Sequence, residues 1–255
     1  MFMDLNILQQ IKKIIQNADQ VLIGIGEDWN LLCRKSAEAD LESDYRSVLA
    51  LDEVNDNNKR IMNAYECLYE LVKDKSYFVV TMNADDMIYK TGFDKDRIVA
   101  PCGSAHMLQC RQHILEPFET EPIFNRMKDC LKNTGKLWER EEEFPPKCPA
   151  CGLPLRLNTI ETKGYLEDGY LPQWKAYTGW VTRTLNKKLC VLELGVSFAH
   201  PSVIRFPFEK TAFYNNKATM VRVNERFFQF PQEMGEKGIP VKANAVDFVR
   251  QLKEV

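Results

Sequence analysis

The sequence predicts an α/β fold: a Rossmann-like parallel sheet between helices, with a smaller inserted zinc-ribbon lobe and a helical cap. Three observations predict it. Four runs, QVLIGIG, SYFVVTMN, KLCVLELGVS and ATMVRVN, are apolar nearly throughout, as strands covered on both faces must be. Stretches with helical spacing alternate with them, which favours a parallel sheet with crossover helices on its faces. Each run also stops at glycine or a small polar residue, and in such sheets ligands sit at the strands' carboxyl ends.

Taken in order, Leu5 to Gln16 place apolar side chains at helical spacing, and Asn17, Ala18 and Asp19 break the pattern before the first strand, at 20–26. The stretch from Leu31 to Val72 reads as helices, because SAEADLESDYRSVLALDEV supplies core residues and carboxylates without glycine or proline. The second strand spans 76–83. Between Cys110 and Cys151 the pattern turns irregular, with a charged run at Glu139–Glu143 followed by Phe144, Pro145 and Pro146, which marks an inserted lobe. Strands at 188–197 and 218–224 follow. The expected organisation is a large unit of residues 1–109 and 165–255, with the cap at 31–75 and the insert at 110–164.

Composition excludes several function classes. The balance of 34 basic against 36 acidic side chains leaves a net charge of −2, so no broad positive field exists for nucleic acid or anionic lipid. The same balance speaks against a zinc-ribbon nucleic-acid protein. No apolar run approaches the roughly 20 residues that span a bilayer, and MFMDLNILQQIKK lacks a signal peptide's basic start and cleavage site, so a cytoplasmic protein is expected. Eight cysteines, at 33, 67, 102, 110, 130, 148, 151 and 190, are too sparse for a disulfide framework and read as reduced thiols, some holding metal.

The strongest local signal is CPACG, Cys148 to Gly152, since two cysteines two residues apart on a tight knuckle can share one tetrahedral zinc. Cys110 and His113 in CRQH repeat the separation and complete a Cys₃His set. A vestigial, metal-free knuckle is the main alternative; a redox pair is a further one, but Pro154 and the strand-like LRLNTI follow the knuckle where a thioredoxin-like unit would start a helix. The strand tips supply the second signal: Gly24 and Gly26, then Asn83 and Asp85, then Gly195 and Ser197, then Asn224. In isolation, a GxG and an Asn/Asp pair are ordinary turn residues, and their order along the chain is what carries weight.

That order resembles the sirtuin family from about Asp19 to Leu252. IGIG at 23–26 resembles its glycine-rich first loop, TMNADD at 81–86 its TQNxD segment, and PCGS at 101–104 falls where its LHGS belongs. ELGVSFAHPSVIRFPFE at 193–209 and the LQC at 108–110 resemble the macrodomain-linked bacterial and fungal branch. The resemblance implies NAD as cofactor, a structural Zn²⁺, and transfer of ADP-ribose to, or deacylation of, an acylated or lipoylated protein. It implies that Gly24 and Gly26 admit the NAD pyrophosphate, that Asn83 and Asp85 contact the nicotinamide ribose and carboxamide, and that Gly195 and Ser197 serve phosphate and ribose. Asn224 falls at the adenosine ribose, and Asn244 with Ala245 near the adenine.

Two departures bear on activity. Cys102 stands where the family has a histidine that takes a proton from the ribose hydroxyl; general-base help is worth ~10² to 10⁴ in rate, so deacylation weakens while nicotinamide cleavage can survive. His106, four residues on, is a substitute base by position, and Cys102 is otherwise a packing residue. Glu27 and Asp28 follow Gly26 and would repel a pyrophosphate unless they cap the next helix and point outward. An impaired, sirtuin-like pseudoenzyme that binds NAD or ADP-ribose is the alternative reading.

Overall fold

The computed structural model describes residues 4–32, 40–53 and 55–255. Cys33 and the part of the expected cap at 33–39 lie outside the described residues. In chain order the elements are α1 (Leu5–Asn17), β1 (Gln20–Ile25), α2 (Leu41–Leu49), α3 (Asp56–Val72), β2 (Ser76–Thr81), β3 (Ile98–Val99), β4 (Gly103–Gln109), β5 (Ile114–Leu115), α4 (Pro117–Thr134), β6 (Arg156–Thr159), α5 (Leu171–Thr182), β7 (Leu189–Leu194), α6 (Arg205–Tyr214), β8 (Ala218–Val223), β9 (Gly238–Val241) and α7 (Ala245–Glu254).

Six parallel strands form the large sheet in the order β3-β2-β1-β7-β8-β9. The chain therefore builds outward from β1 in one direction and from β7 in the other. The junction between these two strands is the topological switch point at which such sheets bind ligands. The four expected strands are all present. Alternation within β1 explains their apolar character: Val21, Ile23 and Ile25 face a core shared with α1, α3 and α7, including Ile15, Leu68 and Phe248. Leu22 faces the opposite core with Tyr177 and Trp180 of α5 and Phe208 of α6. A fully buried side chain of this size contributes roughly 1.5–3 kcal/mol. α1 begins where Asp4 accepts from the Asn6 N–H at 2.9 Å, and α3 where Asn55 accepts from Asn58 at 2.9 Å, each a side-chain N-cap.

The edge strands β3 and β9 went unread in the sequence. β3 has two residues, and β9 carries Pro240, which an edge strand tolerates because it lacks a second neighbour needing that N–H.

The second sheet is small and antiparallel, β5-β4-β6. β4 belongs to this sheet, so its first residue, Gly103, lies upstream of the boundary expected at 110. The expected cap is divided as well. α3 packs on the large sheet, whereas Tyr45, Val48 and Leu49 of α2 join Leu108, Leu157, Phe124 and Met127 in a third core under the small sheet. The Tyr45 hydroxyl donates to the Leu155 carbonyl at 3.1 Å, tying α2 to that lobe. Helical periodicity reveals that a face is buried; it does not reveal against which sheet. Among the described residues, no helix is long and apolar enough to cross a membrane.

Candidate functional site

Parallel register brings the strand tips to one edge. Ile25 pairs with Thr81 on one side and Leu194 on the other, Leu194 with Val223, and Val223 with Val241. Backbone bonds continue one residue further, from Met82 to Ile25, Gly26 to Leu194, Gly195 to Val223 and Asn224 to Val241, at 2.8–3.1 Å. Gly26, Asn83, Gly195 and Asn224 therefore follow their strands along the same carboxyl edge, with the switch point between Gly26 and Gly195.

Both glycines are required by close approach. A β-carbon on Gly26 would overlap the Gly195 carbonyl and the Val196 backbone. Gly195 has φ +70, and a β-carbon there would lie 2.5 Å from Asp28 Cβ. Gly24 departs from the pyrophosphate role the resemblance implied: it sits inside β1, and a β-carbon there would come within 2.5 and 2.7 Å of the Ile204 and Phe208 side chains. It serves the packing of α6 on the sheet.

Asn83 is buried, and neither polar atom of its amide has a hydrogen-bond partner. Leaving such a group unpaired costs about 1–3 kcal/mol; the polar group of the chain that acts on it is the Tyr65 hydroxyl, which is itself buried without a well-formed hydrogen bond. Asp85 is buried as well, but both its oxygens are engaged: Oδ2 accepts from Leu31 N–H at 2.7 Å and Oδ1 from Met87 N–H at 3.1 Å. Burial raises its pKa to about 6 against those two N–H groups. Asp85 ties the segment after β1 to the turn bearing Asn83.

The remaining candidates are mostly satisfied within the chain. Asn224 donates to the Val196 carbonyl at 3.1 Å and accepts from Arg226 and Phe227 N–H at 2.8 and 2.9 Å, stapling two loops together. Asn244 caps α7 and accepts from Arg60 at 2.9 Å. The Ala245 side chain is fully enclosed in the core, so it offers no surface to an adenine. At Ser197, the N–H and hydroxyl both donate to the Glu27 carboxylate, at 2.9 and 2.7 Å. Partial desolvation raises the Asp28 pKa, with Glu225 acting in the same direction and the Ala245 N–H opposing it. Glu27 is turned inward onto Ser197, whereas Asp28, beside it, is exposed. Fit to a dinucleotide is therefore uneven: the Asn83 end offers free polar atoms, and the Ser197 end is filled by Glu27.

Cys102 is buried among Met82, Val99 and Val196, and burial first, then Glu27 and Glu161, push its thiol up to about 12. Such a thiol stays protonated at neutral pH and cannot act as a general base. His106 lines a different space, a cavity of about 640 Å³ bounded by α4, β4 and the 86–100 segment, whose lining includes none of the strand-tip candidates. Its Nδ1 lies 2.8 Å from Asp86 Oδ2, which also accepts from the Ser104 hydroxyl at 2.5 Å.

Between β7, β8 and α6 lies a charged network that the sequence did not reveal. Glu193 and Arg222 occupy paired positions in β7 and β8, and the guanidinium grips the carboxylate in two bonds of 2.7 and 2.9 Å. Arg222 also reaches Glu209, and Arg205 lies 3.3 Å from Glu193 while donating to the carbonyls of Val196 and Phe227. The available signal was one lone acid and one lone base inside otherwise apolar neighbouring strands.

In the small lobe the ligand atoms of Cys110, His113, Cys148 and Cys151 lie within 4.8 Å of one another. Cys110 Sγ is 3.3 Å from His113 Nδ1 and 3.6 Å from Cys151 Sγ; Cys148 Sγ is 3.7 Å from His113 Nδ1. Bonds of about 2.3 Å to sulfur and 2.0–2.1 Å to nitrogen around a tetrahedral zinc require separations of this size, and the sulfurs are too far apart for a disulfide. Burial opposes ionisation of Cys110, yet the N–H groups of Gln112 and His113 and the His113 ring bring its pKa down to about 6. A thiolate at that position suits a metal ligand.

No family model matches the chain. It is 24% identical over 179 residues to a protein ADP-ribosyltransferase of Staphylococcus aureus, covering 69% of this chain and 56% of that one. It is 30% identical over 156 residues to a probable bifunctional ADP-ribose hydrolase/ADP-ribosyltransferase of Fusarium oxysporum, covering 57% and 25% respectively. The matches thus take in about half of the first relative and a quarter of the second. Among solved structures, one from a study of sirtuin substrate affinity aligns at TM-score 0.58 with 14% identity over 99% of both chains. A mutant Sir2 homologue in complex with ADP-ribose aligns at 0.54 with 15% identity over 99% of this chain and 96% of that one. A Sir2 variant with a deacetylated p53 peptide and 3'-O-acetyl ADP-ribose aligns at 0.57 with 14% identity over 97% of both. The sheet that turns at β1 and β7, the inserted cysteine–histidine lobe and the match over nearly the whole length agree with the order of motifs along the chain, which has the sirtuin fold.

Proposed function

We propose that the chain is an NAD-dependent protein ADP-ribosyltransferase of the sirtuin type, cleaving NAD to nicotinamide and passing ADP-ribose to an acylated or lipoylated protein. The observation that carries this reading is Asn83: a buried amide, unsatisfied at both polar atoms, at the carboxyl tip of β2 beside the switch point. Its donor and acceptor suit the carboxamide and ribose hydroxyls of the NAD substrate, while Asp85 positions it. The names of the two relatives and the ADP-ribose in the solved neighbour support the same class of chemistry. Breaking a glycosidic bond needs orientation and charge stabilisation more than a base, and a protonated Cys102 leaves ADP-ribosyl transfer better supported than deacylation.

The test is nicotinamide release by zinc-loaded protein with millimolar NAD and lipoylated or acylated carrier proteins, with transfer of label from NAD to the carrier. Release above a blank that is lost in Asn83→Ala supports the reading; no release with any carrier removes it. The second reading, an ADP-ribose-binding pseudoenzyme, is favoured by the Glu27–Ser197 contacts and the protonated Cys102. Calorimetric binding of ADP-ribose without nicotinamide release selects it.

A further inference from the structure

We propose that Glu27 is an internal anion that competes with the ligand's pyrophosphate for Ser197, and so determines which ligands the cleft admits. The inference rests on reading the cleft as an ADP-ribose site. A backbone N–H beside a hydroxyl, just past the end of a parallel strand at the switch point, is where a phosphate oxygen finds donors. Ser197 has one of each, and both are already given to Glu27, one to each carboxylate oxygen, at 2.9 and 2.7 Å. The same hydroxyl accepts from the Ala199 N–H at 3.0 Å, which fixes its orientation.

The backbone around those donors is tightly packed. The loops at Gly26 and Gly195 are in contact, with no space for even a β-carbon between them. A phosphate therefore reaches Ser197 when the Glu27 side chain rotates away, and the two bonds lost by the carboxylate are replaced by two to the phosphate. While Glu27 stays, its negative charge faces the incoming one. A ligand lacking the pyrophosphate, such as adenosine, does not meet it. Glu27 thus selects against diphosphates according to how readily it leaves, and the neutral Gln side chain keeps the shape and an acceptor without the charge.

The experiment is calorimetric titration of the zinc-loaded full chain, as wild type, Glu27→Gln and Glu27→Ala, with ADP-ribose and separately with adenosine. Removing a like charge at contact distance is expected to tighten ADP-ribose on the order of tenfold or more in both variants, while adenosine changes by less than about twofold. Equal ADP-ribose affinity in all three proteins overturns the inference and leaves the cleft assignment intact. Absence of ADP-ribose binding in all three overturns the cleft assignment and the inference with it. Should a variant fail to fold, the wild type still decides: saturating ADP-ribose must move the Ser197 backbone amide resonance, and an unmoved resonance counts against displacement.

Discussion

Gly26 and Gly195 lie back to back, the first without space for a side chain and the second in a left-handed conformation against Asp28. The obstruction at Gly26 is backbone, which cannot rotate aside as a flexible side chain can. Gly26→Ala is expected to push β1's loop off β7's, costing about 1–3 kcal/mol as overpacking does. The measurement is the urea midpoint, with the ADP-ribose dissociation constant beside it; a variant as stable as wild type with unchanged affinity contradicts the close packing.

Arg222 and Glu193 are both enclosed, so removing Arg222 leaves the Glu193 carboxylate buried with only the longer 3.3 Å contact to Arg205 and takes from Glu209 its guanidinium partner. Arg222→Met is expected to cost about 3–5 kcal/mol, the usual penalty of a broken buried pair. Combining it with Glu193→Gln should recover part of the loss, since the poorly paired charge is then gone. Urea unfolding of the two single variants and the double variant checks this, and a near-zero coupling between them would show the pair to be energetically idle.

Asp85 makes stability depend on pH. Its folded pKa of about 6 lies above the ordinary aspartate value of 3.8, so the native state binds the proton more tightly. The associated stability is fully present below about pH 4 and is lost as pH rises through 6, a change of about 3 kcal/mol at most. Asp85→Asn removes the titration. The stability of wild type minus that of the variant should therefore fall between pH 4 and 7; a flat difference would place the carboxyl in a wetter environment than the structure shows.

Cys102 should resist chemistry. With its thiol pushed up to about 12, it stays unalkylated by iodoacetamide at pH 7.5 in native protein, as peptide mapping can show, and Cys102→Ala keeps nicotinamide release. Rapid native labelling at Cys102, or loss of release in the alanine variant, would restore a chemical role to it.

The cysteine–histidine set should hold the small lobe together. Cys148→Ser, or chelation, is expected to lower zinc content from one equivalent toward zero and to loosen the core under β4 and β6 that includes Leu108, Leu157 and Trp138. Metal analysis with thermal unfolding tests it; an unchanged melting profile in metal-free protein would make the cluster ornamental.

The strands of the large sheet were legible in the amino-acid order alone, since a strand buried on both faces must be apolar along its length and cannot hide that pattern. That order also pointed to the cysteine–histidine group of the small lobe, because a tetrahedral metal needs donors in closely spaced pairs, and Cys110, His113, Cys148 and Cys151 do come together as a set that could hold one. Tertiary structure decided everything that depends on which way a side chain turns toward a residue far along the chain. Glu27 could have capped a helix, but its carboxylate meets Ser197, 170 positions away. Asn224 and Asn244 had the residue type of ligand contacts and are used inside the chain, and Gly24 proved to be a packing site for α6. Asn83 kept its polar atoms free. Propensity and spacing are local, whereas satisfaction of a buried polar group is a property of the assembled neighbourhood, and that neighbourhood forms when β1, β2 and β7 come side by side.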